Sequence, residues 1–161
     1  MDNYTPVHDL IDEQDELKTH EIIFRLWPRQ WSKHANDTTL DWSGLKLAEA
    51  ERQRVPEDSG IYTLVVQPDL FGHPACSFLM YVGKTKSLKR RFGEYLREKQ
   101  NPNGRKKIIR ILNKYKDNTW FYFSIIPQRD ISDAEDMLLD AYIPPCNDKF
   151  PASIRNAVMA F

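Results

Sequence analysis

Residues 60–85 read GIYTLVVQPDLFGHPACSFLMYVGKT, and their reading decides the fold. The run 60–66 is β-branched and aromatic throughout, which predicts a strand. Pro68 to Pro74 is dense in turn formers. Residues 77–82 are apolar again and predict a second strand, so the stretch reads as a β-hairpin with a long connection. Each strand carries a short aromatic motif, Gly60-Ile61-Tyr62 and Tyr81-Val82-Gly83. Side chains alternate between the two faces of a strand, so register decides whether the tyrosines share a side, and sequence leaves the register open. A strand tyrosine by itself is an ordinary half-buried residue.

Downstream the pattern changes period. Leu88, Phe92 and Leu96 recur every four residues and predict a helix over 86–98. Asn101-Pro102-Asn103-Gly104 breaks it. A second basic helix is expected over 106–115, a third strand over 120–126, and a third helix over 133–143, stopped by Pro144-Pro145. The expected fold is α+β, a small three-stranded antiparallel sheet flanked by helices in the order β-β-α-α-β-α. Residues 56–161 would form this domain and residues 1–55 an N-terminal extension. In that extension the first 20 residues look loosely structured, 20–27 reads as a short strand or turn, 28–44 as loop, and 45–55 as a helix ended by Pro56. Trp27, Trp31 and Trp42 are its expected anchors.

The 161 residues carry 23 basic and 23 acidic side chains, yet the charge is unevenly placed. Residues 1–60 hold 7 basic and 13 acidic groups, whereas 84–116 holds 13 basic groups with only Glu94 and Glu98 opposing them. Such a concentration can bind a polyanion, although charged helix faces are also common as mere solvated surface. No apolar run is long enough to span a bilayer, and the start Met1-Asp2-Asn3-Tyr4 does not resemble a signal peptide, so a cytoplasmic protein without membrane contact is expected. Cys76 and Cys146 do not make a disulfide framework. Gly83-Lys84-Thr85 imitates the end of a phosphate-binding loop, but the glycine required five residues earlier is Phe78. His73 and Cys76 lack the second ligand pair of a zinc site.

The chemistry-bearing residues form a spaced series. Lys84 follows the second aromatic motif. Arg91 lies ten residues after Tyr81, and Tyr95 four residues after Arg91, which puts both on one helical face about 6 Å apart along the axis. Glu135 falls near the start of the third helix, in a Ser132-Asp133-Ala134-Glu135 segment that also has capping-box spacing. Asn147 follows the double proline. In order and spacing, Tyr62, Tyr81, Lys84, Arg91, Tyr95, Glu135 and Asn147 resemble the GIY-YIG nuclease family over about residues 59–148. The tyrosine four residues after the arginine and the lysine after the second motif are most similar to the branch found in bacterial excision-repair endonucleases. The hairpin connection is longer than that pattern has.

The resemblance implies a divalent-metal-dependent endonuclease acting on DNA by a one-metal mechanism, in restriction, defence or repair. Glu135 would hold Mg²⁺ (or Mn²⁺), Arg91 the phosphate, and Tyr62 would act as the base, its phenolate favoured by Lys84 or the metal. Tyr81 and Tyr95 would orient water and phosphate oxygens, and Asn147 would hydrogen-bond behind the site. These groups must meet around one cation-sized gap. Lys86, Lys89, Arg90, Arg97, Lys99, Arg105, Lys106, Lys107, Arg110, Lys114 and Lys116 would grip DNA phosphates without sequence preference. The extension would contact DNA, a second copy of the chain or a larger complex. The alternative is a nucleic-acid-binding or partner-binding module of the same fold with little catalysis.

Overall fold

The structure, a computed structural model, describes residues 6–37, 39–73, 75–98, 100–101 and 103–160, with side chains from residue 12 onward. The elements run α1 (Pro6–Thr19), α2 (Pro28–Lys33), β1 (Ser43–Lys46), a 3₁₀ turn (Glu49–Arg54), β2 (Gly60–Val66), β3 (Phe78–Thr85), α3 (Leu88–Glu98), α4 (Lys106–Lys114), β4 (Thr119–Ile125), α5 (Ile131–Tyr142) and α6 (Ala152–Met159). The expected β-β-α-α-β-α order is present from β2 to α5. Among the described residues no helix is long and apolar enough to cross a membrane.

The sheet has four strands, not the three expected, in the antiparallel order β1-β4-β2-β3. The added strand lies across the end of the expected loop, 28–44, and the start of the expected helix, 45–55. Leu45, Leu47, Ala48 and Ala50 fit a helical face, but so short an apolar run also fits a strand. Packing decides: Ser43 to Lys46 pairs with Phe123 to Trp120, and Leu45 and Leu47 enter the core. Gly44 permits this approach, since a Cβ there would sit 2.5 Å from the Tyr122 ring. The apolar spacing then ends in the 3₁₀ turn, with Pro56 beyond it. Residues 6–19, expected to be loose, form α1; residues 1–5 lie outside the described residues. In the stretch 28–44, expected to be loop, Pro28 opens α2, where its missing N–H costs nothing. α6 has no counterpart in the expected order; Phe150, Ile154 and Val158 recur at four-residue spacing and seat it on the core.

β2 is buried along its whole length and separates two apolar layers. Tyr62, Leu64 and Val66 face one layer, with Phe121, Leu88, Phe92, Tyr95, Ile108 and Leu112. Ile61 faces the other, with Val82, Ile131, Leu138, Leu139 and Ile154. α3 and α4 therefore cover one face, and α5 and α6 the other. Fully burying each such side chain stabilises by roughly 1.5–3 kcal/mol. β3 is an edge strand. Its register with β2 slips between Leu64–Tyr81 and Val65–Leu79, leaving Met80 as the extra residue of a bulge. The bulge breaks the alternation, so that Met80 and Tyr81 both belong to the α3/α4 face. The segment after Pro145 covers the open edge: the Cys146 N–H donates to the Met80 carbonyl at 3.0 Å.

Candidate active site

The residues anticipated from sequence fall into two groups, one on each face of β3, and not around the single gap expected: among the described residues no hydrogen bond or ion pair joins Glu135 or Lys84 to Tyr62, Tyr95 or Arg91. On the α3/α4 face the centre is Tyr62, 1% exposed. Its ring stacks on Phe121 with centroids 5.0 Å apart, and its hydroxyl is hydrogen-bonded to that of Tyr95 at 3.0 Å. Its phenol crosses over Gly83, where a Cβ would lie 2.6 Å from Tyr62 Cζ. The glycine of the second aromatic motif is thus required by the tyrosine of the first. Tyr81 packs beside the pair, its ring centroid 6.2 Å from that of Tyr62. Arg91, one turn before Tyr95 on α3, is ion-paired to Glu94 at 2.8 Å, and its buried Nε has no partner among the described residues.

This face is dry, and the phenols show it. Burial drives the Tyr62 pKa well above that of an ordinary tyrosine, Tyr95 and Tyr81 push the same way, and Arg91 pulls only partly back. Burial also raises Tyr95, to about 12, against the pull of Arg105. Tyr62 is therefore a protonated phenol at neutral pH. Lys84, considered above as the cation that favours its phenolate, is not beside it.

Lys84 belongs to the second group. It pairs with Ile61 across the ladder, faces α5, and forms an ion pair of 2.9 Å with Glu135 while donating to Ser132 Oγ at 3.2 Å. The Glu135 carboxylate is 18% exposed and Lys84 38%. The capping reading of Glu135 fails: the residue before α5 is Asp130, without a side-chain cap, and Ser132 lies inside the helix. Among the described residues no three His, Cys, Asp or Glu side chains converge. Glu135 belongs to no such cluster and is paired with Lys84.

Asn147 ties both groups to one strand. It accepts from the Val82 N–H at 2.9 Å through Oδ1 and donates to the Val82 carbonyl at 2.8 Å through Nδ2. It completes the β3 edge as a neighbouring strand would, between Tyr81 on one face and Lys84 on the other.

The basic residues divide. Lys86, Arg97 and Lys106 are exposed. Lys89 lies 3.8 Å from Glu57, and Arg90 pairs with Glu94. On α4, Lys107 meets Asp148 at 2.5 Å, while Arg110 and Lys114 donate to the Thr19 carbonyl at the end of α1. That carbonyl end carries the negative pole of the helix. The outer side of α4 is thus taken by the chain itself. Lys99 lies outside the described residues. Arg105, grouped with the phosphate grips by sequence, reaches into the phenol cluster: Nη1 donates to the Tyr81 hydroxyl at 3.0 Å, and the guanidinium lies 5.3 Å from the ring centroids of both Tyr81 and Tyr95. Glu98, not anticipated from sequence, holds Arg105 with two oxygens, at 3.2 and 3.0 Å. Nothing in a seven-residue separation across an irregular turn signals that pair.

The GIY-YIG catalytic domain family matches residues 75–147. The match takes in Tyr81, Lys84, Arg91, Tyr95, Glu135 and Asn147 and begins after Tyr62. No curated protein sequence matches the chain. Among solved structures, the chain is similar to the GIY-YIG N-terminal endonuclease domain of UvrC from Thermotoga maritima. A tyrosine-to-phenylalanine point mutant of that domain, bound to its catalytic divalent cation, is 24% identical, with 63% of this chain and 99% of that one covered at a TM-score of 0.43. The magnesium-bound form is 24% identical, with 61% and 92% covered at 0.42.

Proposed function

We propose that this chain, which carries a GIY-YIG domain and with it a nuclease domain, cuts DNA phosphodiester bonds with the help of one divalent cation, Mg²⁺ or Mn²⁺. The observation that carries the reading is that β3 carries a polar group on each of its faces: a cluster of phenols with guanidinium groups, and a partly exposed carboxylate, Glu135, ion-paired to Lys84. A lone carboxylate suits Mg²⁺, which keeps most of its waters and needs few protein oxygens. Glu135 would hold the cation. When bound, such an ion supplies charge against the phosphate and a more acidic water.

The chain's own residues supply the rest. Lys84, at present the partner of Glu135, would offer its ammonium to a phosphate oxygen. Arg91 has an unmatched buried N–H beside its Glu94 pair, which a phosphate can accept. Tyr62 and Tyr95 keep their protons at neutral pH and serve as fixed hydrogen-bond donors, so the base role assigned by resemblance to Tyr62 requires water and charge to enter its pocket first. Asn147 sets the height of β3 and thereby of Tyr81 and Lys84. Lys86, Lys89, Arg90, Arg97 and Lys106 would bind flanking phosphates; Lys107 and Arg110 would join them on release of Asp148 and α1. Of residues 1–55, the part before β1 would contribute a DNA, dimer or complex contact, since β1 and the residues after it belong to the sheet and its core. Restriction, defence and repair are all consistent with this chemistry.

The rival reading, a binding module with little catalysis, draws on one observation: Lys84, Arg91, Lys107 and Arg110 are each already paired within the chain. Incubating the protein with supercoiled plasmid and Mg²⁺ or Mn²⁺ separates the two. Metal-dependent nicking that disappears in Glu135→Gln supports the nuclease; metal-independent retention of DNA without nicking supports the module.

A further inference from the structure

Arg105, between α3 and α4, turns its guanidinium onto the Tyr81 and Tyr95 rings. Two of its nitrogens are gripped by Glu98, which closes the turn between α3 and α4. This fork-to-fork pairing orients the guanidinium plane as a lysine ammonium could not. The remaining terminal nitrogen meets the Tyr81 oxygen, and the face of the group lies over two aromatic rings. A phenol hydroxyl keeps its hydrogen near the ring plane, on one of two sides. An N–H arriving at the oxygen takes one lone pair and leaves the hydrogen the other side.

We propose that Arg105, clamped by Glu98, is a positioning residue of this site: it fixes the Tyr81 hydroxyl so that the phenol's own O–H is aimed outward for a DNA phosphate oxygen. The inference rests on the nuclease reading above. Tyr81 is the phenol suited to this task, because Tyr62 and Tyr95 are buried and already bonded to each other. Glu98 contributes only through Arg105. The arrangement explains why the Arg105 guanidinium, although 41% exposed, lies over two phenol rings and is held on Glu98 rather than free as a simple phosphate grip would be. A donor set in advance lowers the barrier without reorganisation at the moment of reaction.

The test uses the full-length protein and two independent readouts. The first is single-turnover cleavage of a short DNA duplex with Mg²⁺ by wild type, Arg105→Gln, Arg105→Lys and Glu98→Gln. The second is NMR of protein labelled at the tyrosine Cζ carbon, with the Tyr81 signal assigned through Tyr81→Phe. In Arg105→Gln the saturated rate should fall about 10²-fold, while the DNA concentration for half-saturation stays within about threefold. Arg105→Lys should recover part of the rate, and Glu98→Gln should lose less than Arg105→Gln. The Tyr81 Cζ resonance should move in Arg105→Gln at neutral pH and move less in Arg105→Lys. A weakened half-saturation with an unchanged saturated rate would make Arg105 an ordinary phosphate anchor and overturn the proposal, as would a Tyr81 resonance indifferent to Arg105→Gln. Wild-type protein that cuts no DNA would defeat the nuclease reading instead, and the resonance would still decide whether Arg105 governs Tyr81.

Discussion

On the α3/α4 face of the sheet three phenols are packed against one another and two are taken almost wholly out of water; on the α5 face a carboxylate and an ammonium face each other at the rim. The first arrangement is held by shape. Tyr62 stacks on Phe121, crosses Gly83 and meets Tyr95, so its position follows from the core. The second is held by charge across a partly wet gap. The contrast teaches where each half can be changed. Perturbing the phenol half disturbs folding and chemistry together. Perturbing the Lys84–Glu135 half should disturb chemistry at less cost to the fold, since the pair lies at the rim, Lys84 38% and Glu135 18% exposed, and fills no apolar core.

Glu135→Gln tests that contrast most severely. It keeps the size of the side chain and removes the charge a cation needs. We expect plasmid nicking to fall by about 10³-fold or more, with a melting temperature within about 3 °C of wild type. A comparable loss of melting temperature would place Glu135 among the structural residues and dissolve the contrast. Tyr62→Ala should do the reverse in kind, costing about 3–5 kcal/mol of stability by emptying a buried aromatic site. Tyr62→Phe should cost only about 1 kcal/mol, the worth of its bond to Tyr95. Urea unfolding of the two variants separates the ring's packing from the hydroxyl's contribution. Equal losses in both would show that the hydroxyl, not the ring, anchors this face.

Asn147→Ala sharpens the comparison at the seam between the halves. It strands the Val82 N–H and carbonyl on a covered strand edge, and leaving buried backbone groups unpaired costs about 1–3 kcal/mol. Slower amide exchange of β3 in wild type than in the variant would show that the strand edge is what Asn147 secures. An exchange pattern unchanged at Val82 would assign the residue to the turn after Pro145 instead.

Legibility followed the same division. The strands and helices from 60 to 142 could be read because long apolar runs with clear period impose their structure wherever the chain puts them. β1 could not: four residues around Gly44 carry too little pattern, and only the pairing of β1 beside β4, with Leu45 buried, selects a strand. α6 was hidden because Ile154 and Val158 are too few to announce a helix before their core is known. At the site, the resemblance named candidate residues, whereas their sides could not be read. A single bulged residue, Met80, determines which face Tyr81 occupies, and one ladder position sends Lys84 to Glu135 rather than to Tyr62. Arg105 was visible only as one charge among many, since its meaning comes from Glu98 and two rings brought together by the turn.

The smallest expected effect lies behind the Glu135 half. Asp140, five residues along α5 from Glu135, accepts from Ser153 at 2.7 Å and bonds to His34 Nε2 at 3.0 Å; His34 Nδ1 in turn meets Asp37. The cluster pins α2 and α6 to the back of the helix that carries the carboxylate. Its carboxylates raise the His34 pKa, Asp140 most, against the opposing effect of burial. Ser153, His34 and Lys33 hold the Asp140 pKa down although burial opposes them. A raised histidine stabilises the fold fully below its unfolded pKa of about 6.5, and that stability is lost as pH climbs through the folded value. A lowered aspartate stabilises above its unfolded pKa of about 3.9, and its share is lost as pH falls through the folded value. The pin should therefore hold best between those limits, near pH 5 to 6. Melting temperatures of wild type and His34→Ala should differ more at pH 5.5 than at pH 8.5. A difference independent of pH would mean that the imidazole contributes packing alone, and that α5 is held by its apolar side without help from this charge pair.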